Sequence, residues 1–251
     1  MRHLIATFLL TTAAASPALA DPAADWEAVL AARTSAPDAG TGLIRFDYAG
    51  LAASPDERAV LDGYIDHLEA AGEPEDAAAA TAYWANLYNA VTVDLVVENY
   101  PVESIKDIKS GLISSGPWKR ELIEVGGERL SLDDVEHGIL RRRYPSPLIH
   151  YMVNCASVGC PNLQPRLWRA ETLDADRERA AREFVNSPRG ARFEGGTLVV
   201  SSIYKWFEED FGGSRAGVVD HLRAYAAPEL AARLDGVSRH GATDYSWSLN
   251  E

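Results

Sequence analysis

The sequence predicts an α+β fold built as a single domain, in which short strands and peripheral helices surround a buried central helix. Segments of helical periodicity alternate irregularly with glycine-containing hairpins, whereas a parallel α/β fold would show strict strand and helix alternation. The stretch from about Asp76 to Asn99 is apolar on nearly every side and stops at Pro101, which is typical of a buried helix. Because no repeat or low-complexity linker divides residues 21–251, we expect one domain there.

The first twenty residues have the pattern of a secretory signal peptide. A short basic start precedes an apolar run, and small residues lead to Ala18 and Ala20. We therefore expect residues 1–20 to be removed by cleavage after Ala20. Such a run is shorter than the roughly 20 apolar residues that span a bilayer, so no stable membrane insertion is expected. The prediction is a periplasmic or secreted protein.

The charge of the chain bears on the class of partner. The formal net charge is −13 at pH 7, and a surface of this sign repels phosphate backbones and anionic lipids. The basic run at 141–143 is too short to offset this and is expected to end a helix. Since no glycine-rich phosphate-binding pattern occurs, no cofactor is predicted. The expected partner is a small molecule or a peptide, and nucleic acid is disfavoured.

Helix boundaries come mainly from capping residues. Ser54, Pro55 and Glu57 form a capping-box pattern before apolar residues at helical spacing. Ser131 and Asp134 give a second capping pattern, with Ile139 on the apolar side that follows. Helices are predicted over about 25–33, 55–71, 76–99, 131–143, 172–186, 203–211, 215–225 and 228–234.

Strands are predicted where apolar and β-branched residues flank turn residues. Gly126-Gly127 and Gly195-Gly196 each lie between two such runs, which indicates hairpins over 121–132 and 192–200. Further extended segments are expected at 43–48, at 148–153 and in a closing strand over 243–250.

Both cysteines of the chain lie in one segment, His150 to Pro161. Cys155 could act as a nucleophile, or it could pair with Cys160 in a disulfide, which an oxidising compartment would favour. Thiol-disulfide exchange is disfavoured because the spacing is not Cys-x-x-Cys. No histidines stand nearby at a recognisable ligand interval, so zinc is disfavoured and no metal is predicted.

A nucleophilic thiol requires a base, and two histidines are candidates. His150 is close in sequence, but an extended chain from 150 to 155 would place it about 17 Å from Cys155, at roughly 3.3 Å per residue. His137 lies on the helix begun by Ser131, and packing could bring it to the thiol. The alternative is that His137 is a hydrogen-bonded residue at the surface or at the boundary between surface and core.

Several other polar residues stand out. Asn86 and Asn89 share one face of the central helix, where buried amides either tie the helix to neighbouring backbone or orient a functional group. Ser157 lacks the Gly-x-Ser-x-Gly context and is expected to be a turn residue. Lys205 and Glu209 are four residues apart, so a solvated ion pair is expected on the helix that also carries Asp210.

Four separated segments resemble the family known as domain of unknown function 547. They are YWANLYNA at 83–90, HYMVNCASVGCPNL at 150–163, SIYKWFEEDF at 202–211 and DYSWSLN at 244–250. The resemblance implies that these segments converge. It nominates the following residues: Asn86, Asn89, Asn154, Cys155, Ser157, Cys160, Lys205 and Asp210. Where the family is expected to carry serine or another small residue, this chain has Gly159.

Two functional hypotheses follow. The first is a cysteine-dependent hydrolase or acyl-transferase with papain-like or transglutaminase-like chemistry. In it Cys155 is the nucleophile, His137 or His150 the base, and Asn86 or Asn154 an orienting group or oxyanion donor. The second is a non-enzymatic binding domain whose loop is shaped by a Cys155–Cys160 disulfide. The state of Cys155 separates them, because a permanent bridge removes the nucleophile.

Overall fold

A computed structural model describes residues 21–109 and 116–251, and the α+β prediction is confirmed. The signal peptide predicted over 1–20 lies outside the described residues. The helices are α1 (Pro22–Arg33), α2 (Tyr48–Ala52), α3 (Pro55–Ala71), α4 (Ala77–Glu98), α5 (Arg141–Arg143), α6 (Leu173–Val185), α7 (Ile203–Trp206), α8 (Arg215–Tyr225) and α9 (Pro228–Leu234). The strands are β1 (Glu121–Val125), β2 (Glu128–Ser131), β3 (Ala191–Glu194), β4 (Thr197–Ser201) and β5 (Ala242–Asp244).

Helix α4 is the predicted central helix. It is buried on all sides from Ala80 to Val93, and it packs against α2, α3 and the segment that follows β2. Asp76 begins it, because its carboxylate accepts a hydrogen bond from the backbone N–H of Ala79 at 2.9 Å. Its apolar side chains join those of the other elements in one hydrophobic core. The central position of α4 brings both asparagines near the cysteine segment.

The strands form two small sheets. Strands β1 and β2 pair antiparallel, as do β3 and β4, so both predicted hairpins are confirmed. Strand β5 pairs parallel to β4. The predicted closing strand is thus regular only at Ala242–Asp244, and the residues after it take a different partner, described below.

Two predicted strands were wrong. Residues Pro147–Tyr151 form a 3₁₀ helix, which Ser146 begins by accepting a hydrogen bond from the backbone N–H of Leu148 at 3.2 Å. At 43–48 the extended chain makes only an isolated bridge, Thr34 to Phe46, and α2 begins at Tyr48. The prediction at 148–153 rested on a short apolar run, which is buried equally well in a helical turn, and that at 43–48 rested on alternation.

The helices on either side of the cysteine segment also differ from expectation. Ser131 and Asp134 form the predicted reciprocal cap, but residues Asp134–Leu140 form a π-helix, which α5 continues. Helix α7 ends at Trp206 rather than at residue 211, and turns replace its second half. A π-helix carries an extra residue per turn and is frequent at functional sites.

The start of α3 is right, although the capping box was wrong. Ser54 makes no side-chain capping hydrogen bond. The carboxylate of Glu57 instead accepts a hydrogen bond from Arg33 of α1 at 2.7 Å. The side chain of Glu57, which the local sequence pattern assigned to the helix cap, therefore forms an ion pair with another helix instead. Among the described residues, no helix is long and apolar enough to cross a bilayer.

Candidate functional site

The cysteine segment turns tightly after Val153, and Asn154 shapes the turn. Its side-chain oxygen accepts a hydrogen bond from the backbone N–H of Ala156 at 2.8 Å, and its amide nitrogen donates to the carbonyl of Pro161 at 2.7 Å. Ala156 has a φ of +58°, a left-handed conformation that costs a non-glycine residue about 1 to 2 kcal/mol. The residue after Cys155 is therefore held in a strained turn by buried hydrogen bonds.

Both asparagines of α4 bind neighbouring backbone. Asn89 accepts from the N–H of Asn154 and donates to the carbonyl of Met152, both at 2.8 Å. Asn86 makes the same pair of bonds to Trp168, at 3.0 and 2.9 Å. Each polar atom of Asn86 thus makes one hydrogen bond to Trp168, and the role of Asn86 as an orienting group or oxyanion donor stays a prediction. Asn89 therefore ties α4 to the turn, and it also positions Asn154, the residue before Cys155.

A segment distant in sequence completes the loop. The backbone N–H groups of Val158 and Gly159 donate to the carbonyls of Ser248 at 2.8 Å and Ser246 at 2.9 Å. Ser157 forms an antiparallel bridge with Leu249. The closing segment predicted at 243–250 therefore pairs with the cysteine loop once β5 has ended.

Arg189 supports the loop from the other side. Its guanidinium donates to the carbonyls of Val158 and Cys160 and to the side-chain oxygen of Asn162, the last at 2.8 Å. Further bonds run to the carbonyls of Thr41 and Gly42. Burial lowers the pKa of Arg189 to about 10. This arginine is used in full by neutral acceptors, so we interpret it as a structural support of the loop.

Cys155 and Cys160 form a disulfide. The hydroxyl of Tyr245 lies 3.2 Å from the sulfur of Cys155 and 3.1 Å from that of Cys160, and Ser157 Oγ lies 3.7 Å from the former. Burial raises the pKa of Tyr245, so its phenol stays protonated and remains a hydrogen-bond donor. Cys160 is buried, whereas Cys155 is partly exposed.

His150 is engaged away from the thiol. Its Nε2 lies 2.7 Å from Asp210 Oδ2, which also accepts a hydrogen bond from Arg141 at 2.6 Å. The ring stacks on Phe207 with a centroid distance of 4.3 Å. The hydrogen bonds from His150 and Arg141 hold the pKa of Asp210 well below its usual range. The structure thus unites two predicted site residues, His150 and Asp210, in a pair that does not contact Cys155.

His137 lies on the π-helix and is 40% exposed at its side chain. Its ring nitrogens lie 3.9 Å from Asp133 and 4.0 Å from Glu136, and its ring is 5.7 Å from that of Phe207. None of these contacts joins it to Cys155. The position fits the boundary residue that was the alternative reading, and a role as base stays a prediction.

Three residues near the disulfide were missed from the sequence. Tyr245 touches both sulfurs, and its phenol lies within electrostatic reach of Glu136. Tyr88, buried on α4, donates a hydrogen bond to Glu136. The signal for Tyr245 was its place in the DYSWSLN segment. Tyr88 had the same signal from its place in the YWANLYNA segment, whereas a single glutamate on a helix offers none.

Lys205 and Ser157 complete the predicted set. Lys205 is exposed on α7, and the expected ion pair with Glu209 does not form because α7 ends at Trp206. Ser157 is buried in the turn, and its hydroxyl donates to the carbonyl of Cys155 at 3.2 Å. This contact is the turn role expected for it. Within residues 21–109 and 116–251, no group of three or more histidine, cysteine or carboxylate side chains could hold a metal ion.

Gly159 is tightly matched to Tyr245. A Cβ atom at position 159 would lie 2.7 Å from the tyrosine ring. We expect Gly159→Ala to lower the free energy of unfolding by about 1 to 3 kcal/mol, because the ring must move. In a Tyr245→Ala background the same substitution should cost less than about 1 kcal/mol. A double-mutant cycle in urea measures the difference, and equal costs in both backgrounds would show that the two residues are not coupled.

The fold and the site together define an α+β protein with a disulfide-closed loop braced by the central helix and by residues 246–249. Residues 75–185 match the model of the family described as "Protein of unknown function, DUF547". This segment of the chain is therefore similar to that family, as the resemblance of its motifs implied. The match includes α4 and the cysteine loop, but not the two later motifs. Searches of curated proteins and of solved structures find nothing that matches this chain.

Proposed function

We propose that this chain is a ligand-binding protein in which the Cys155–Cys160 disulfide holds the binding loop in one shape. The observation that carries the proposal is the pairing of both cysteines, which removes the thiolate that a cysteine-dependent enzyme needs. A bridge over so few residues yields only about 2 kcal/mol through loop entropy, so its main effect is on loop shape. The bonds from Asn89 and Arg189 act in the same direction.

We also propose that residues 1–20 direct export, that residues 21–251 fold as one domain, and that the protein works in the periplasm or outside the cell. A disulfide persists in oxidising compartments and is rare where thiols are kept reduced. The apolar run at the start of the chain supports the same location.

Alkylation of the purified, processed protein across pH 5 to 9 tests the binding proposal. Without reductant we expect no iodoacetamide label on either cysteine by mass spectrometry, and full labelling of both after reduction. A Cys160→Ser variant supplies the matched control, because Cys155 has no partner cysteine in it and stays a free thiol. Rapid labelling of Cys155 in the untreated protein, at pH values well below the reference thiol pKa of about 8.5, would overturn the proposal.

The second candidate is a hydrolase or acyl-transferase that becomes active when a dithiol reductant opens the bridge. One observation favours it: the Tyr245 hydroxyl reaches both sulfurs and could donate to a Cys155 thiolate. His137 or His150 would then be the base, and Asp210 would orient the imidazole of His150. This candidate requires a lowered Cys155 pKa in the Cys160→Ser variant, and an ordinary thiol pKa there would eliminate it.

A further inference from the structure

Four aromatic side chains lie together next to the disulfide. This aromatic cluster consists of Trp118, Trp206, Tyr245 and Trp247. The ring of Tyr245 is 4.8 Å from that of Trp206 and 4.7 Å from that of Trp247, and Trp118 lies 5.5 Å from Trp247. Trp206 and Trp247 are nearly parallel, 5.6 Å apart with 27° between their planes. The cluster is continuous, so a ligand would meet several rings at once.

The cluster is open to solvent at Trp206. Among the described residues, Trp206 is the only large hydrophobic side chain in the exposed class, at 47%. A contiguous patch of exposed and partly exposed rings is typical of an interaction or ligand-binding surface. Trp118, Tyr245 and Trp247 pack against the core, whereas Trp206 on the short helix α7 does not, so core burial does not explain the position of Trp206.

One cation already sits on this surface. The ammonium group of Lys106 lies over the ring of Trp247, 5.0 Å from its centroid. The faces of aromatic rings are electron-rich and attract cations, tryptophan most strongly. The neighbouring face of Trp206 has the same electronic character. The position of Lys106 therefore indicates that these rings attract cations.

A carboxylate with little compensation lies within electrostatic reach of Tyr245, one member of the cluster. Glu136 is only 14% exposed at its side chain, and within residues 21–109 and 116–251 its one ion-pair partner is His137, at the outer limit of 4.0 Å. It accepts a hydrogen bond from Tyr88, and its charge reaches Tyr245. Arg189, whose charge also reaches Tyr245, is directed at loop carbonyls. A partly buried carboxylate favours a cation that brings its own charge into the site.

We propose that the aromatic cluster, together with Glu136, binds the head group of a small organic ammonium ion. The inference rests on the binding function proposed above and names its ligand class. The rings supply cation–π attraction, and Glu136 supplies the opposite charge, as in aromatic cages for quaternary ammonium groups. The net charge of −13 raises the local concentration of such a cation. Lys106 competes with the ligand for the face of Trp247.

Calorimetric titration with choline tests the proposal, and 3,3-dimethyl-1-butanol is the control because it has the same shape without the charge. We expect saturable binding of choline and at least about tenfold weaker binding of the neutral alcohol. Equal binding of both would overturn the ammonium assignment, since the site would then select shape alone. Tighter binding of tetralysine than of choline would also overturn it, in favour of a basic peptide.

Two substitutions with opposite expected effects sharpen the test. Trp206→Ala should weaken choline binding at least about tenfold, and it removes an exposed ring that the core does not need. Lys106→Ala should tighten binding by about two- to fivefold, because the competing cation leaves Trp247. Lys109→Ala removes an equal charge from an exposed position three residues later and should leave binding unchanged. Unchanged affinity in Lys106→Ala, or an equal gain in Lys109→Ala, would contradict the role given to Lys106.

The outcomes separate this inference from the proposed function. If the disulfide resists alkylation but choline gives no heat, the ligand class is wrong and the binding function is untouched. If Cys155 labels freely while choline binds with the expected variant pattern, the ammonium site stands and the disulfide-shaped loop does not. Circular dichroism of each variant confirms that it is folded.

Discussion

Asn89→Ala is expected to lower the free energy of unfolding by about 2 to 3 kcal/mol. The substitution leaves the buried N–H of Asn154 without an acceptor, and an unsatisfied buried group costs about 1 to 3 kcal/mol. The carbonyl of Met152 also loses a bond, although the indole of Trp168 still donates to it at 3.1 Å. Urea unfolding measured at equilibrium gives the change directly.

Asn99→Ala is the matched control for this variant. Asn99 caps the other end of the same helix, and its amide donates only to the carbonyl of Leu95 within that helix, at 2.7 Å. We expect this change to cost less than about 1 kcal/mol. A similar cost for both substitutions would mean that the bond to the cysteine loop adds nothing beyond local helix effects.

Acid is expected to destabilise the protein in two separate pH ranges, and His221 accounts for the first. Burial among aromatic rings lowers the pKa of His221 to about 4, and the charge of His150 acts in the same direction. The Nε2 atom of His221 lies 2.7 Å from the Tyr151 hydroxyl. The unfolded chain takes up the proton at about pH 6.5. The contribution of His221 is therefore complete above pH 6.5 and falls by about 2 to 3 kcal/mol towards pH 4. It is partly offset over this range because burial raises the pKa of the Asp94 carboxyl to about 7.

Asp210 accounts for the second range. Its pKa is lowered, so its contribution is present above the unfolded value near 3.9 and is lost as the pH falls further. His221→Gln separates the two, because glutamine can still bind the Tyr151 hydroxyl but does not titrate. Unfolding free energies of this variant should change less between pH 6.5 and 4, while the loss below pH 4 persists. A slope identical to that of the unchanged protein would rule out His221 as the source.

The main elements follow from local properties of the sequence. Helix α4 is predictable because a long, almost wholly apolar stretch has a carboxylate cap before it and Pro101 after it. The hairpins are predictable because paired glycines adopt the positive φ that tight turns require, as Gly126 and Gly127 do at +63° and +82°. These signals depend on residues close together in the chain.

The site is less predictable because its partners are distant in the chain. The sequence singles out Cys155 and Cys160 but does not say whether they are paired, because pairing depends on the distance between their sulfurs in the fold. Pairing of His150 with Asp210 joins residues sixty positions apart. No spacing rule covers such contacts. The short run at 148–153 gave a wrong strand because a 3₁₀ helix buries the same side chains.

The pairing of Val158 and Gly159 with residues 246–248 has a consequence for the order of events during synthesis. A ribosome releases the cysteine loop well before it makes the segment that covers the loop. Contacts between such distant residues form late, since the intervening chain must first be brought together. The cysteine loop is therefore uncovered until residues 246–248 pair with it, and Tyr245 packs against the two sulfurs only at that late step.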